Sequence, residues 1–73
     1  MRVKFYNIKK PENLYQDEQY LFDAFMSMPP RKDELIFTEE KSYRVFDICY
    51  SMYPSDGAIY ECDNVCVSVI EEE

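Results

Sequence analysis

Seventy-three residues, a net charge of −7 and a complete absence of histidine define one small acidic domain, residues 1–73, and remove several kinds of chemistry at once. Without His there is no Ser-His or Cys-His dyad, and the commonest general base and metal ligand are gone. A 47% apolar fraction with seven Tyr and five Phe excludes disorder, and a single Gly excludes a phosphate-cradling loop.

In chain order, Met1 to Ile8 alternates, with Val3 and Phe5 on one side and Arg2, Lys4 and Tyr6 on the other, as in a half-buried strand. Pro11, within Lys9-Lys10-Pro11-Glu12-Asn13, ends it because proline donates no ladder hydrogen bond. Residues 14–28 fit two periods. Leu14, Leu21, Phe25 and Met28 fall on one helical face, whereas Tyr20, Phe22, Ala24, Met26 and Met28 alternate as in a strand. The compromise is a helical turn near 14–19 followed by a strand from Tyr20.

Residues 29–33, Pro29-Pro30-Arg31-Lys32-Asp33, form a turn; Glu34 to Phe37 is a short strand; Thr38 to Lys41 is a second turn. Ser42 to Met52 is the clearest strand. Tyr43 and Val45 share a face, then the phase slips and Ile48, Tyr50 and Met52 resume it, which predicts a β-bulge near Phe46-Asp47. Pro54-Ser55-Asp56-Gly57 is a turn with Gly57 free to take positive φ, Ala58 to Cys62 is a candidate strand, and Asp63-Asn64 reads as a turn or bulge. Val65, Val67 and Val69 share one face of a final strand, after which Glu71-Glu72-Glu73 is expected to fray into water. The fold class is mainly β: a small curled antiparallel sheet or barrel, with room for one short helix within residues 12–28.

All eight basic side chains lie in the first 44 residues, where eight acidic ones balance them. Asp47, Asp56, Glu61, Asp63, Glu71, Glu72 and Glu73 carry the excess. Such a surface repels nucleic acid and anionic membrane and attracts basic protein surfaces. Aromatic residues within the acidic half, Tyr50, Tyr53 and Tyr60, together with Met52, provide contact area at low entropic cost. The expected partner-binding set is therefore Asp47, Tyr50, Met52, Tyr53, Asp56, Tyr60, Glu61 and Asp63, with no catalytic residue, no cofactor and no metal.

Three cysteines are an odd number, and Cys62 and Cys66 on one strand would stand roughly 13 Å apart, beyond disulfide reach. They read as small buried thiols of a reducing cytoplasm. Half a zinc motif, Cys49 with Cys62-x-x-x-Cys66 and Asp63, falls short of the paired spacing a structural site uses. No stretch of about eighteen apolar residues is available to span a bilayer, and no leader-like apolar run opens the sequence.

Four segments together resemble a recurrent type of small phage and prophage protein. They are Met1-Arg2-Val3-Lys4-Phe5; Pro30-Arg31-Lys32-Asp33-Glu34-Leu35; Lys41 to Tyr50, with Tyr43, Val45 and Ile48 in the matching places; and Val65 to Glu73. The chain differs from that type in lacking a Gly before Asp33. The resemblance covers about two thirds of the sequence and implies an SH3-like small barrel of phage or mobile-element origin. It carries over no catalytic or binding residue. Charge and resemblance together lead to the expectation of a non-enzymatic module, acting in the host cytoplasm. It would inhibit a host protein by docking on a basic surface, with a nucleic-acid-processing or antiviral-defence protein as the sharpest form. Direct nucleic-acid binding is not expected. Two alternatives remain open: a phage structural or homo-oligomeric scaffold protein, and a protein that sequesters a small signalling nucleotide through Arg31, Lys32 or Arg44.

Overall fold

The computed structural model describes residues 1–8, 18–57 and 59–72, with the side chain of Asp63 outside the description. The described residues contain five strands and no helix: β1 (Arg2–Ile8), β2 (Glu18–Phe25), β3 (Leu35–Phe37), β4 (Ser42–Asp56) and β5 (Ile59–Glu72). They form one curled open sheet in the order β2-β1-β5-β4-β3. β1–β2, β3–β4 and β4–β5 pair antiparallel, and β1 and β5 pair in parallel at the centre, Val3 opposite Val65 and Phe5 opposite Val67. The chain is thus a meander rolled until its first and fifth strands meet. It opens between β2 and β3, which are the two edges.

The mainly β expectation holds. The strand reading of the ambiguous segment also holds, with β2 starting at Glu18 rather than Tyr20. The helical stripe fails because Phe25, a member of that stripe alone, faces water at 87% exposure, while Met28, common to both patterns, lies beyond β2 and is exposed as well. Phe22, Ala24 and Met26 pack against the core instead, and Leu21 joins them. Leu21 is the extra residue where the register slips between Phe5-Phe22 and Tyr6-Tyr20. The helical turn anticipated near 14–19 falls largely on residues 9–17, outside the described residues.

The core lies on one face: Val3, Phe5, Tyr43, Val45, Val65, Val67 and Val69. β-branched side chains suit this surface because their restricted rotamers pack well across a pleat. The Phe5 and Phe22 rings meet at 4.9 Å between centroids, across the β1–β2 pair. The bulge expected at Phe46-Asp47 is present. Val45 opposes Val69 and Asp47 opposes Ser68, so Phe46 is the inserted residue. Val45 also accepts from Asp33 N and donates to Glu34 O, both at 2.9 Å, which ties the 33–34 turn to β4 beside the bulge.

Two sequence expectations need correction. Glu71 and Glu72 do not fray; they complete β5 opposite Tyr43 and Ser42. Lys41 bonds Glu71 at 3.2 Å and Arg44 pairs with Glu72, so these acids are neutralised by the one basic cluster beside them. The cysteines are not uniformly buried: Cys49 and Cys62 are exposed and Cys66 is half-buried. Among the described residues no helix is long and apolar enough to cross a membrane.

Candidate functional site: the β4–β5 arm

β4 and β5 are far longer than their neighbours. β3 covers β4 only from Ser42 to Arg44, and β1 covers β5 only from Val65 to Val69. Beyond those limits the two strands have only each other. They run out as a two-stranded arm about 20 Å long to the tip at Gly57, which takes φ 64°. Only glycine adopts that left-handed conformation without a steric cost, so the turn signal at 54–57 is realised, shifted to the tip. The molecule reaches 46 Å along its longest axis.

Asp63-Asn64 behaves as a bulge rather than a turn. Ser51 opposes Asn64 and Met52 opposes Cys62, leaving residue 63 as the insertion while β5 runs through. On β4 the alternation continues through this point to Pro54, before a further insertion at Ser55, and pairing fixes the faces. Tyr50 opposes Val65, Met52 opposes Cys62 and Pro54 opposes Tyr60. These residues therefore extend the face that carries the valine core. Where the rest of the sheet stops covering it, the face becomes exposed: Tyr50, Met52 and Tyr60 are 52%, 56% and 64% accessible. Ile59, near the tip, is 63% exposed.

The opposite face of the arm carries Tyr53, Asp56, Ile59 and Glu61. Tyr53 opposes Glu61, and its hydroxyl donates to Glu61 Oε2 at 3.0 Å. This bond holds the tyrosine ring and the carboxylate in one orientation at the arm's midpoint. Asp56 stands beside the tip opposite Ile59. No Lys or Arg occurs between Val45 and Glu73, so the arm carries no cation of its own.

Of the eight residues expected at a partner surface, Tyr50, Met52, Tyr53, Asp56, Tyr60 and Glu61 are brought together on the arm. Asp63 lies in the same strand, its side chain outside the description. Asp47 is separate. It sits at the root, where its Oδ1 accepts from Ile48 N at 3.0 Å, and it lines a 280 Å³ cavity with Tyr6, Glu18, Cys49, Cys66 and Ser68. Ile59 was missed: as an isolated aliphatic after the turn it carries no signal of exposure in the sequence. The chain was compared only as a sequence and fold with known proteins: family models, curated proteins and solved structures. None yields a match.

The nucleotide-sequestering alternative needs converging cations. The Arg44 guanidinium bonds Glu72 and donates from Nη1 to Asp33 O at 2.8 Å. Arg31 lines a groove with Glu34, whose carboxylate accepts from the Arg31 backbone N–H. The Arg44 cation is thus already engaged by a carboxylate of its own chain, whereas only the backbone of Arg31 is bonded to one.

Proposed function

We propose that the protein is a non-enzymatic binding module that inserts its β4–β5 arm into a basic surface of a partner protein. The observation that supports this most is the arm itself. An isolated two-stranded ribbon is marginal in water, and this one exposes Tyr50, Met52 and Tyr60 on one face and Ile59 on the other, beside Asp56 and Glu61. Aromatic anchors with an acidic border are the composition of a surface that docks on cationic protein. The resemblance to small phage proteins extends the reading to a phage-encoded inhibitor of a host protein, with a nucleic-acid-processing or defence protein as the target class.

Photo-crosslinking from position 59 in host lysate identifies the partner, and purified components then give the affinity. Tyr50→Ala and Tyr60→Ala are expected to weaken binding at least tenfold each. Raising salt from 50 to 300 mM is expected to weaken it by about tenfold more, because charges near the arm are screened over about a Debye length. Affinity that ignores both salt and the two alanines would overturn the proposal.

The oligomeric-scaffold reading is favoured by a different observation. The sheet has two uncovered edges, and Phe25 on β2 and Phe37 on β3 are 87% and 73% exposed. Sedimentation separates the readings: a concentration-independent monomer that binds a partner excludes the scaffold.

A further inference from the structure

Cys49 and Cys66 are direct cross-strand partners in the β4–β5 ladder. Antiparallel partners hold their Cα atoms about 4.5–5.5 Å apart with side chains on the same face, inside the roughly 4.4–6.8 Å span that a disulfide bridges. Both line one cavity, with Asp47 and Ser68 as the adjacent pair in the ladder, so both point to the same side. Cys62 is placed differently. Its register partner is Met52, and its thiol donates to Asn64 O at 3.5 Å. All three thiols are free.

We propose that Cys49 and Cys66 form an oxidation site that closes into a cross-strand disulfide when the protein meets a small disulfide oxidant of the glutathione-disulfide class. The exposed Cys49 enters first: its thiolate attacks one sulfur of the oxidant, forms a mixed disulfide and releases one small thiol. Cys66 then loses its proton and attacks the Cys49 sulfur, expelling the second small thiol. Two protein thiols become one S–S bond, the oxidant's S–S bond becomes two thiols, and the two protein protons end on them. The division of roles follows from exposure. Burial pushes the Cys66 thiol above its ordinary range, so it stays protonated and resolves rather than attacks.

The location gives the bond a mechanical effect. Cys66 lies where β1 still flanks β5, opposite Lys4, and the arm leaves the sheet immediately beyond. A bond there fastens the root of the arm across β4 and β5. This inference rests on register alone and is independent of what the arm binds.

The test is peptide mapping of the folded protein after exposure to glutathione disulfide and alkylation of remaining thiols. No Lys or Arg follows Arg44, so trypsin leaves all three cysteines on one peptide; cleavage at Asp and Glu cuts at Asp56 and Glu61 between Cys49 and Cys66 and at Asp63 between Cys62 and Cys66. The expected product is an intramolecular Cys49–Cys66 linkage, lighter by two hydrogens, with Cys62 alkylated. Cys62→Ser keeps the linkage, and Cys49→Ser abolishes it. The wild-type map decides the matter even where Cys66→Ser does not fold. Recovery of Cys49 and Cys66 both alkylated, or of disulfides that join only Cys62 or separate molecules, would overturn the assignment.

Discussion

Asp33 is held at φ 72°, a left-handed conformation that side chains with a branched Cβ tolerate poorly and that Asp and Asn tolerate better than most. Its amide donates to Val45 O and its carbonyl accepts from Arg44, so the turn cannot relax without breaking contacts to β4. Asp33→Val is expected to cost about 1–2 kcal/mol by urea unfolding, whereas Asp33→Asn should be close to neutral. The resemblance placed a glycine just before this position; here the aspartate itself takes the strained angle. Asp23 shows a different local economy. Arg2 donates to its Oδ2 at 2.7 Å and Tyr20 to its Oδ1 at 2.8 Å, and these bonds hold the carboxyl below its ordinary range. A depressed folded-state pKa means that folding favours the charged form. The contribution is therefore fully present above the ordinary carboxylate pKa and is lost as pH falls through the lower folded-state value. The stability gap between wild type and Asp23→Asn, followed by urea midpoints, should be largest near neutrality and close in strong acid. It should be small throughout, since the Arg2 side chain is mostly exposed and salt screens the pair. A gap that stays constant with pH would mean that something other than the charge is lost.

The element that separates stability from function is β5. Its valine stretch, Val65 to Val69, is the centre of the sheet, while its first residues belong to the arm. Val67→Ala removes two methyls from a fully buried site and is expected to cost about 2 kcal/mol. Tyr60→Ala, on the same strand, should change stability by no more than about 0.5 kcal/mol. Thermal melts of the two variants check the contrast, and a large loss from Tyr60→Ala would show that the arm is part of the folding unit. Most of β1, β3, β4 and β5 was legible because two-residue alternation is a strong signal, and a break in its phase marked the insertion at Phe46. β2 was harder, since Leu, Met and Ala argue for helix while Tyr and Phe argue for strand; pairing with β1 decides between them. The projection of the arm was not legible. Alternation in Tyr50, Met52 and Pro54 reads the same whether the next strand or water covers that face. Nor was the Cys49–Cys66 pairing, because register depends on the bulge at Phe46 and on the hairpin tip together.

Across the whole molecule, charge is less polarised than the linear sequence suggests. Lys41 and Arg44 fold back on Glu71 and Glu72, and the acids left outside the ion pairs among the described residues include Glu39 and Glu40 of the β3–β4 turn as well as Asp47, Asp56 and Glu61 of the arm and its root. What sets the arm apart is that its acids stand beside exposed aromatics, Tyr50 and Tyr60. The sheet's open edges are the competing feature, and β3, only three residues long, limits the one that carries Phe37. Phe37→Lys is expected to suppress any concentration-dependent association in sedimentation velocity while leaving the melting temperature within a few degrees; unchanged association would clear that edge of a role. The parallel seam between β1 and β5 has a further consequence, for biosynthesis. Val3 and Phe5 acquire their central neighbours only when Val65 and Val67 arrive, so a nascent chain halted short of those valines holds hairpins without a hydrophobic interior. Native structure must then wait until residues 65–69 clear the ribosomal tunnel, and condense in a single late event.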